Sequence, residues 1–143
     1  MDHRSVRMRR WVALPALVSS LAAGVAAGTP AGACPLPPVA GEHRVTQGAL
    51  ELAWRAEPER LAVGQPFSLE VRLCPAAARF VQVDATMPEH RHGMNYRPSV
   101  QPLGPGRWRA EGLLWHMAGR WELAFEVESG GERTWLKYPL MLR

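Results

Sequence analysis

None of the short motifs that mark common enzymes occurs in this protein. It has no glycine-rich phosphate loop on a strand–helix unit, no G-x-S-x-G and no H-E-x-x-H. Ser68 and Ser99 have no identifiable base or oxyanion hole, and Asp84 and Glu89 beside an imidazole do not make a catalytic pair by proximity alone. The expectation is a protein that is not an enzyme. A helical period is also missing: no segment repeats its apolar residues every 3.6 positions, and 53–62 is broken by Pro58. No internal repeat is found. Cysteines number only two, Cys34 and Cys74.

The N-terminus explains the charge. Arg4, Arg7, Arg9 and Arg10 precede an apolar run that carries no charge until Glu42, and small residues, Ala31-Gly32-Ala33, close it before Cys34. That three-part order is the pattern of a secretory signal peptide. Pro15, two serines and several glycines make the run a poor permanent membrane helix. The expectation is a signal peptide over 1–33, cleaved after Ala33, and a periplasmic or secreted protein. The full sequence contains 17 basic and 13 acidic residues; without the leader, 13 and 12 remain. No basic patch is left, so nucleic acid is not an expected partner. In an exported protein two cysteines most simply form one disulfide, Cys34–Cys74. The alternative is a lipoprotein with Cys34 lipidated, but the leucine usual three residues before such a cysteine is absent. A membrane enters only through that lipidation or an uncleaved leader.

About 110 residues remain, enough for one domain, and they hold five of the six tryptophans. Residues 34–49 are rich in proline and glycine and are expected to be an irregular lead-in to a domain over 50–143. From there alternation with period two dominates. Leu50, Leu52 and Trp54 share a face, as do Phe67, Leu69, Val71 and Leu73. Val81, Val83, Ala85 and Met87 form a third face, and Trp121, Leu123, Phe125 and Val127 a fourth. Segments 107–117 and 134–142 are further candidates. Turn signals separate them at Gly64, Gly104-Pro105-Gly106, Gly119 and Gly130-Gly131. Gly112 marks a candidate bulge. About seven strands, each apolar on one face, indicate an all-β sandwich of two antiparallel sheets. Residues 88–102, with three prolines, are expected to be a long loop or irregular edge, and such loops on a rigid sandwich commonly carry binding residues.

That loop begins within the run 87-MPEHRHGM-94. Beyond the leader lie four histidines and four methionines. Six of these eight fall at 87–94 and 116–117: Met87, His90, His92, Met94, His116 and Met117. Imidazole nitrogen with thioether sulfur is a ligand set for copper, the thioether favouring Cu(I). In an extended segment the spacing H-x-H presents both rings to one side, and Gly93 is expected to turn the backbone so that Met94 returns toward them. His116 or Met117 would complete the set, both together only if the strand has broken before Gly119. Met87 also ends an apolar face and suits the core, and His116 suits a buried structural histidine. Trp115 and Tyr96 are candidate shields. His43 and Met141 are given no role.

The runs 84-DATMPEHRHGMNYRP-98 and 112-GLLWHMAGRWELAFEV-127 resemble the YtkA-like family, small exported domains similar to the periplasmic part of FixH-type proteins. Met87, Pro88, His90, His92 and Gly93 match one family motif, and Met117, Gly119 and Trp121 match the other. Many relatives have glycine at the position of Arg91. The resemblance covers 50–142. It implies an immunoglobulin-like β-sandwich and a role in copper handling. The expectation is a copper carrier exchanging its ion with a periplasmic donor or acceptor protein. The alternative is a metal-free interaction module that docks a partner through the 88–102 loop.

Overall fold

The computed structural model describes Cys34 and residues 36–143; the leader and its expected cleavage after Ala33 lie outside them. Every regular element among them is a strand. From the N-terminus these are β1 (His43–Gln47), β2 (Leu50–Glu57), β3 (Pro66–Cys74), β4 (Arg79–Met87), β5 (His92–Gly93), β6 (Ser99–Gly104), β7 (Arg107–Leu114), β8 (Gly119–Ser129) and β9 (Glu132–Leu142). One sheet has the order β1-β2-β3-β7-β6 and the other β5-β4-β8-β9. All pairings between these strands are antiparallel. With β1 set aside, β2-β3-β7-β6 and β5-β4-β8-β9 follow the A-B-E-D and C′-C-F-G order of an immunoglobulin-like sandwich.

Alternation puts one face of each strand into the core. Leu52, Leu69, Ala85, Leu123, Phe125 and Val127 are fully buried, with Trp54, Val71, Leu73 and Val83 almost so. Two bulges shift this phase. In β7 the residues between Ala110 and Leu113 outnumber those between Leu69 and Phe67 opposite, so the inward face passes from Ala110 to Leu113 and Trp115. Gly112, at φ 87°, is the bulged residue, as its position suggested. A second bulge in β4 lies between Phe80 and Gln82. It buries Phe80 and leaves Val81, expected inside, only half-buried.

Nine strands replace the expected seven. The lead-in is not irregular throughout: His43–Gln47 pairs with β2 through a tight turn. Arg44 donates to Leu36 O, Pro37 O and Glu51, and Arg72 to Pro37 O and Glu42, which ties the lead-in down. Cys34 and Cys74 form a disulfide that joins the same segment to the end of β3. Residues 88–102 likewise contribute β5 and most of β6. Both are short or exposed edge strands, with little apolar alternation to reveal them.

Candidate metal centre

Immunoglobulin-like connectivity brings the two His/Met windows together. β4 ends at Met87 and β8 starts at Gly119, and the two strands pair as far as Thr86↔Glu122. The turn after β4 and the link from β7 into β8 therefore sit at one end of the sandwich. The first holds His90 and His92, the second His116 and Met117.

The turn over 88–91 is closed by the His90 N–H on Met87 O at 3.1 Å. Arg91 adopts φ 53°, the left-handed region that costs a non-glycine residue about 1–2 kcal/mol. The backbone then pairs back on β4 as Met87↔His92 and Thr86↔Gly93. This corrects the expected conformation. His90 and His92 do not share an extended strand; the reversal at Arg91 puts their rings side by side. Nor does Gly93 turn the backbone. It lies in β5, and Met94 continues the strand, its N–H bonded to Ala85 O. Met94 thus follows His92 on the same side of the strand.

The three rings are neighbours in successive pairs. His90 and His92 have centroids 6.3 Å apart with planes 29° from parallel. His92 and His116 are also 6.3 Å apart, nearly perpendicular. All three side chains are exposed. β7 has ended at Leu114, and beyond the Val63↔Trp115 bridge residues 116–118 are in neither sheet, so the break required for both His116 and Met117 is present. His116 is a surface residue, not a buried structural one. Its ring stands edge-on to Trp121, centroids 5.2 Å apart. Trp121 in turn contacts Trp115 at 4.7 Å, and Trp115 stacks on Phe67 at 5.2 Å. The histidine rim is thereby backed by a row of rings that reaches the core.

The methionines lie deeper. Met94 and Met117 are half-buried and pack on the core cluster. Met117 O accepts the Trp121 indole N–H at 3.1 Å, which fixes the link against β8. Met87 is enclosed at 1 % exposure, as its place on an apolar face allowed. Its terminal methyl lies 2.6 Å from where a β-carbon on Gly119 would be, and Gly119 itself has φ 130°. Met87 is the floor beneath the turn.

Two imidazoles that share an ion through metal–nitrogen bonds of about 2 Å hold their centroids about 5–6.5 Å apart. At 6.3 Å each adjacent pair reaches only the widest of these, a nearly linear arrangement about the ion, which His92 cannot form with both neighbours at once. Among the described residues no three His, Cys, Asp or Glu side chains form one metal-holding group. A complete set thus requires thioether sulfur or rotation of an exposed ring. The donor types fit copper, imidazole with thioether and no thiolate, since both cysteines are in the disulfide.

The nearby carboxylates are otherwise engaged. Glu89 pairs with Arg120 at 3.6 Å, both exposed. Asp84 Oδ1 accepts the Ala85 N–H at 2.7 Å. Trp115, expected as a shield, is a core residue with no exposure. Tyr96 donates to Leu114 O at 2.6 Å, and burial pushes its phenol pKa up. It lines a neighbouring depression of about 440 Å³ with Asp84, Met94, Asn95, Arg97 and Trp135. His43 lies apart, packed at a tilt against Trp54 and sharing a hydrogen bond with Tyr138.

Comparison with family models, curated proteins and solved structures finds no match for this protein. Two residues of the centre gave little sign of their roles in the sequence. Trp121 was visible as one more member of an alternating apolar face and as part of the second motif, not as the ring that backs His116. Arg91 gave no sign of its left-handed backbone except its position between the two histidines.

Proposed function

We propose that this is an exported copper-binding protein that carries the ion without transforming a substrate. The observation that supports this most directly is the meeting of His90, His92 and His116 at one rim. His90 and His92 come from one connection of the sandwich and His116 from another, with 6.3 Å between successive rings. Half-buried thioethers at Met94 and Met117 follow His92 and His116 closely in the chain, and imidazole with thioether is copper chemistry. Met87 contributes as support and not as an exchanging ligand. The similarity of the two sequence runs to YtkA-like domains points the same way, as does a disulfide, which persists in oxidising compartments such as the periplasm. An exposed site suits exchange of the ion with a donor or acceptor protein by replacement of one ligand at a time.

The test is a competition titration of the purified protein with Cu(I) and with Cu(II), beside the double variant His90→Ala, His92→Ala. Stoichiometric binding that the variant loses for Cu(II) and weakens for Cu(I), with an unchanged circular dichroism spectrum, is the expected result. Unaltered affinity in the variant would overturn the proposal.

The alternative is a metal-free module that docks a partner through 88–102. The depression beside Met94–Pro98 favours it, since Tyr96 and Trp135 are each 40 % exposed there and half-exposed aromatics are common anchors of interfaces. Failure of the wild-type protein to bind copper, with partner binding lost on Trp135→Ala, is the outcome that selects it.

A further inference from the structure

The donors of the candidate centre are sorted by depth, and this carries an inference that rests on the copper reading. His90, His92 and His116 are exposed, whereas Met94 and Met117 are half-buried against apolar core residues. The sorting follows from the backbone. His92 pairs with Met87 at the rim, while Met94, two residues on, bonds through its N–H to Ala85 O and packs against the core cluster. In the second window His116 points outward over the Trp121 ring, and Met117 is held inward with its carbonyl on the Trp121 indole.

We infer that the centre has two overlapping subsites which distinguish the oxidation states of copper. The outer one is made of imidazole nitrogen from His90, His92 and His116 and takes Cu(II). The inner one adds the sulfurs of Met94 and Met117 to His92 or His116 and takes Cu(I). Two physical preferences separate the ions. Cu(II) favours nitrogen and oxygen donors, including water, and soft thioether selects Cu(I). Desolvation adds to this, since a doubly charged ion loses far more hydration than a singly charged one on leaving water for an apolar environment. Exposed rings at the rim can rotate to accept Cu(II) and leave positions for water. Half-buried thioethers on a packed core cannot follow them outward.

His90 and the methionines are thus the discriminating residues, and His92 and His116 are common to both subsites. Methionine to leucine nearly conserves volume and is tolerated in cores, so Met94→Leu with Met117→Leu removes sulfur while keeping the packing. His90→Ala alters an exposed turn residue. The experiment measures Cu(I) affinity against a Cu(I) chelator under strict reducing conditions, and Cu(II) affinity against a Cu(II) chelator in air. Both are measured for the wild type and these two variants.

The double leucine variant is expected to lose about tenfold or more in Cu(I) affinity with Cu(II) affinity unchanged. The His90→Ala variant is expected to show the converse. Equal losses for both ions in either variant, or no loss in the leucine variant, would overturn the two-subsite inference and leave a single mixed site. Absence of binding for both ions in the wild type would overturn the copper reading itself, a result distinct from either of these. Electron paramagnetic resonance of the Cu(II) form supplies a second readout. Nitrogen hyperfine structure is expected to persist in the leucine variant and change in His90→Ala.

Discussion

Gly119 and Met87 occupy the same space. A β-carbon on Gly119 would lie 2.6 Å from the Met87 terminal methyl, on a backbone at φ 130°. The methyl is the far end of a flexible side chain and can shift, so the backbone conformation is the firmer reason for glycine at 119 beneath the histidine turn. Gly119→Ala is expected to destabilise the protein by about 1–3 kcal/mol, measured by urea denaturation. Met87→Ala removes a buried side chain and costs about 2–5 kcal/mol by itself, so the pair is read as a double-mutant cycle. The double variant should lose less than the sum of the two single losses but more than Met87→Ala alone, because the backbone strain remains. A double variant no less stable than Met87→Ala alone would show that steric contact alone sets the requirement.

The turn residue between the histidines gives a prediction of the opposite sign. Arg91 is exposed and sits at φ 53°. Replacing it with glycine relieves left-handed strain at the cost of a more flexible unfolded state. The expected balance is a gain of about 0.5–1 kcal/mol, seen as a raised Tm. Arg91→Val should lower Tm, since a β-branched residue tolerates this conformation worst. If the glycine variant melts lower than the valine variant, the turn is not built as described.

Cys34 and Cys74 are 40 residues apart in sequence, and their bond closes the lead-in, β1, β2 and β3 into one loop. Loop-closure entropy puts the stabilisation from a loop of that length at about 3–4 kcal/mol. Replacing both cysteines by serine should lower the unfolding free energy by that order, and reductant should produce no further change. The candidate metal centre lies on other connections, so the copper affinity proposed for it should be the same in the folded variant.

Glu128 lies on the exposed surface, where the hydrogen bond from Arg79, then its charge, and secondarily Arg133 hold its carboxyl below the usual carboxylate range. A carboxyl depressed in the folded state contributes stability above its unfolded pKa and loses that contribution as pH falls through the folded one. Arg79→Ala should move the Glu128 titration upward, read by carbon-detected NMR. An unshifted titration would place the cause elsewhere.

Trp121 offers a direct report on the centre. With His116 edge-on at 5.2 Å, a Cu(II) ion held by that imidazole is close enough to quench indole emission. Cu(II) titration is expected to quench the wild type, with the effect much reduced in Trp121→Phe. Quenching that survives this substitution unchanged would mean that the ion settles away from His116.

Legibility in the sequence followed burial. The strands with one fully covered face, such as Phe67–Leu73 and Trp121–Val127, announced themselves by alternation, because each outward residue faces water and each inward one does not. β1, β5 and β6 lie at sheet edges and carry mixed residues, so no period marks them. The bulge at Gly112 was signalled by the glycine, but the one near Val81 was not, since a β-branched residue there looks like an ordinary inward position. In the centre, residue types were visible and their backbone was not. The side-by-side rings depend on the reversal at Arg91, and the meeting of His92 with His116 depends on which connections share an end of the sandwich. Neither is local in sequence.

The bond from the Ala85 N–H to Asp84 Oδ1 has a consequence for the protein in concentrated solution. β5 is only two residues long, so most of the β4 edge has no full strand beside it. An open edge of this kind is where a second copy could add itself and begin a growing assembly. At Ala85 the carbonyl already accepts the Met94 N–H and the N–H is met by the Asp84 carboxylate, so an incoming strand finds neither group free there. That end of the edge is thus closed by Met94 and Asp84 together, and the stretch from Arg79 to Asp84 is the part with no β5 partner.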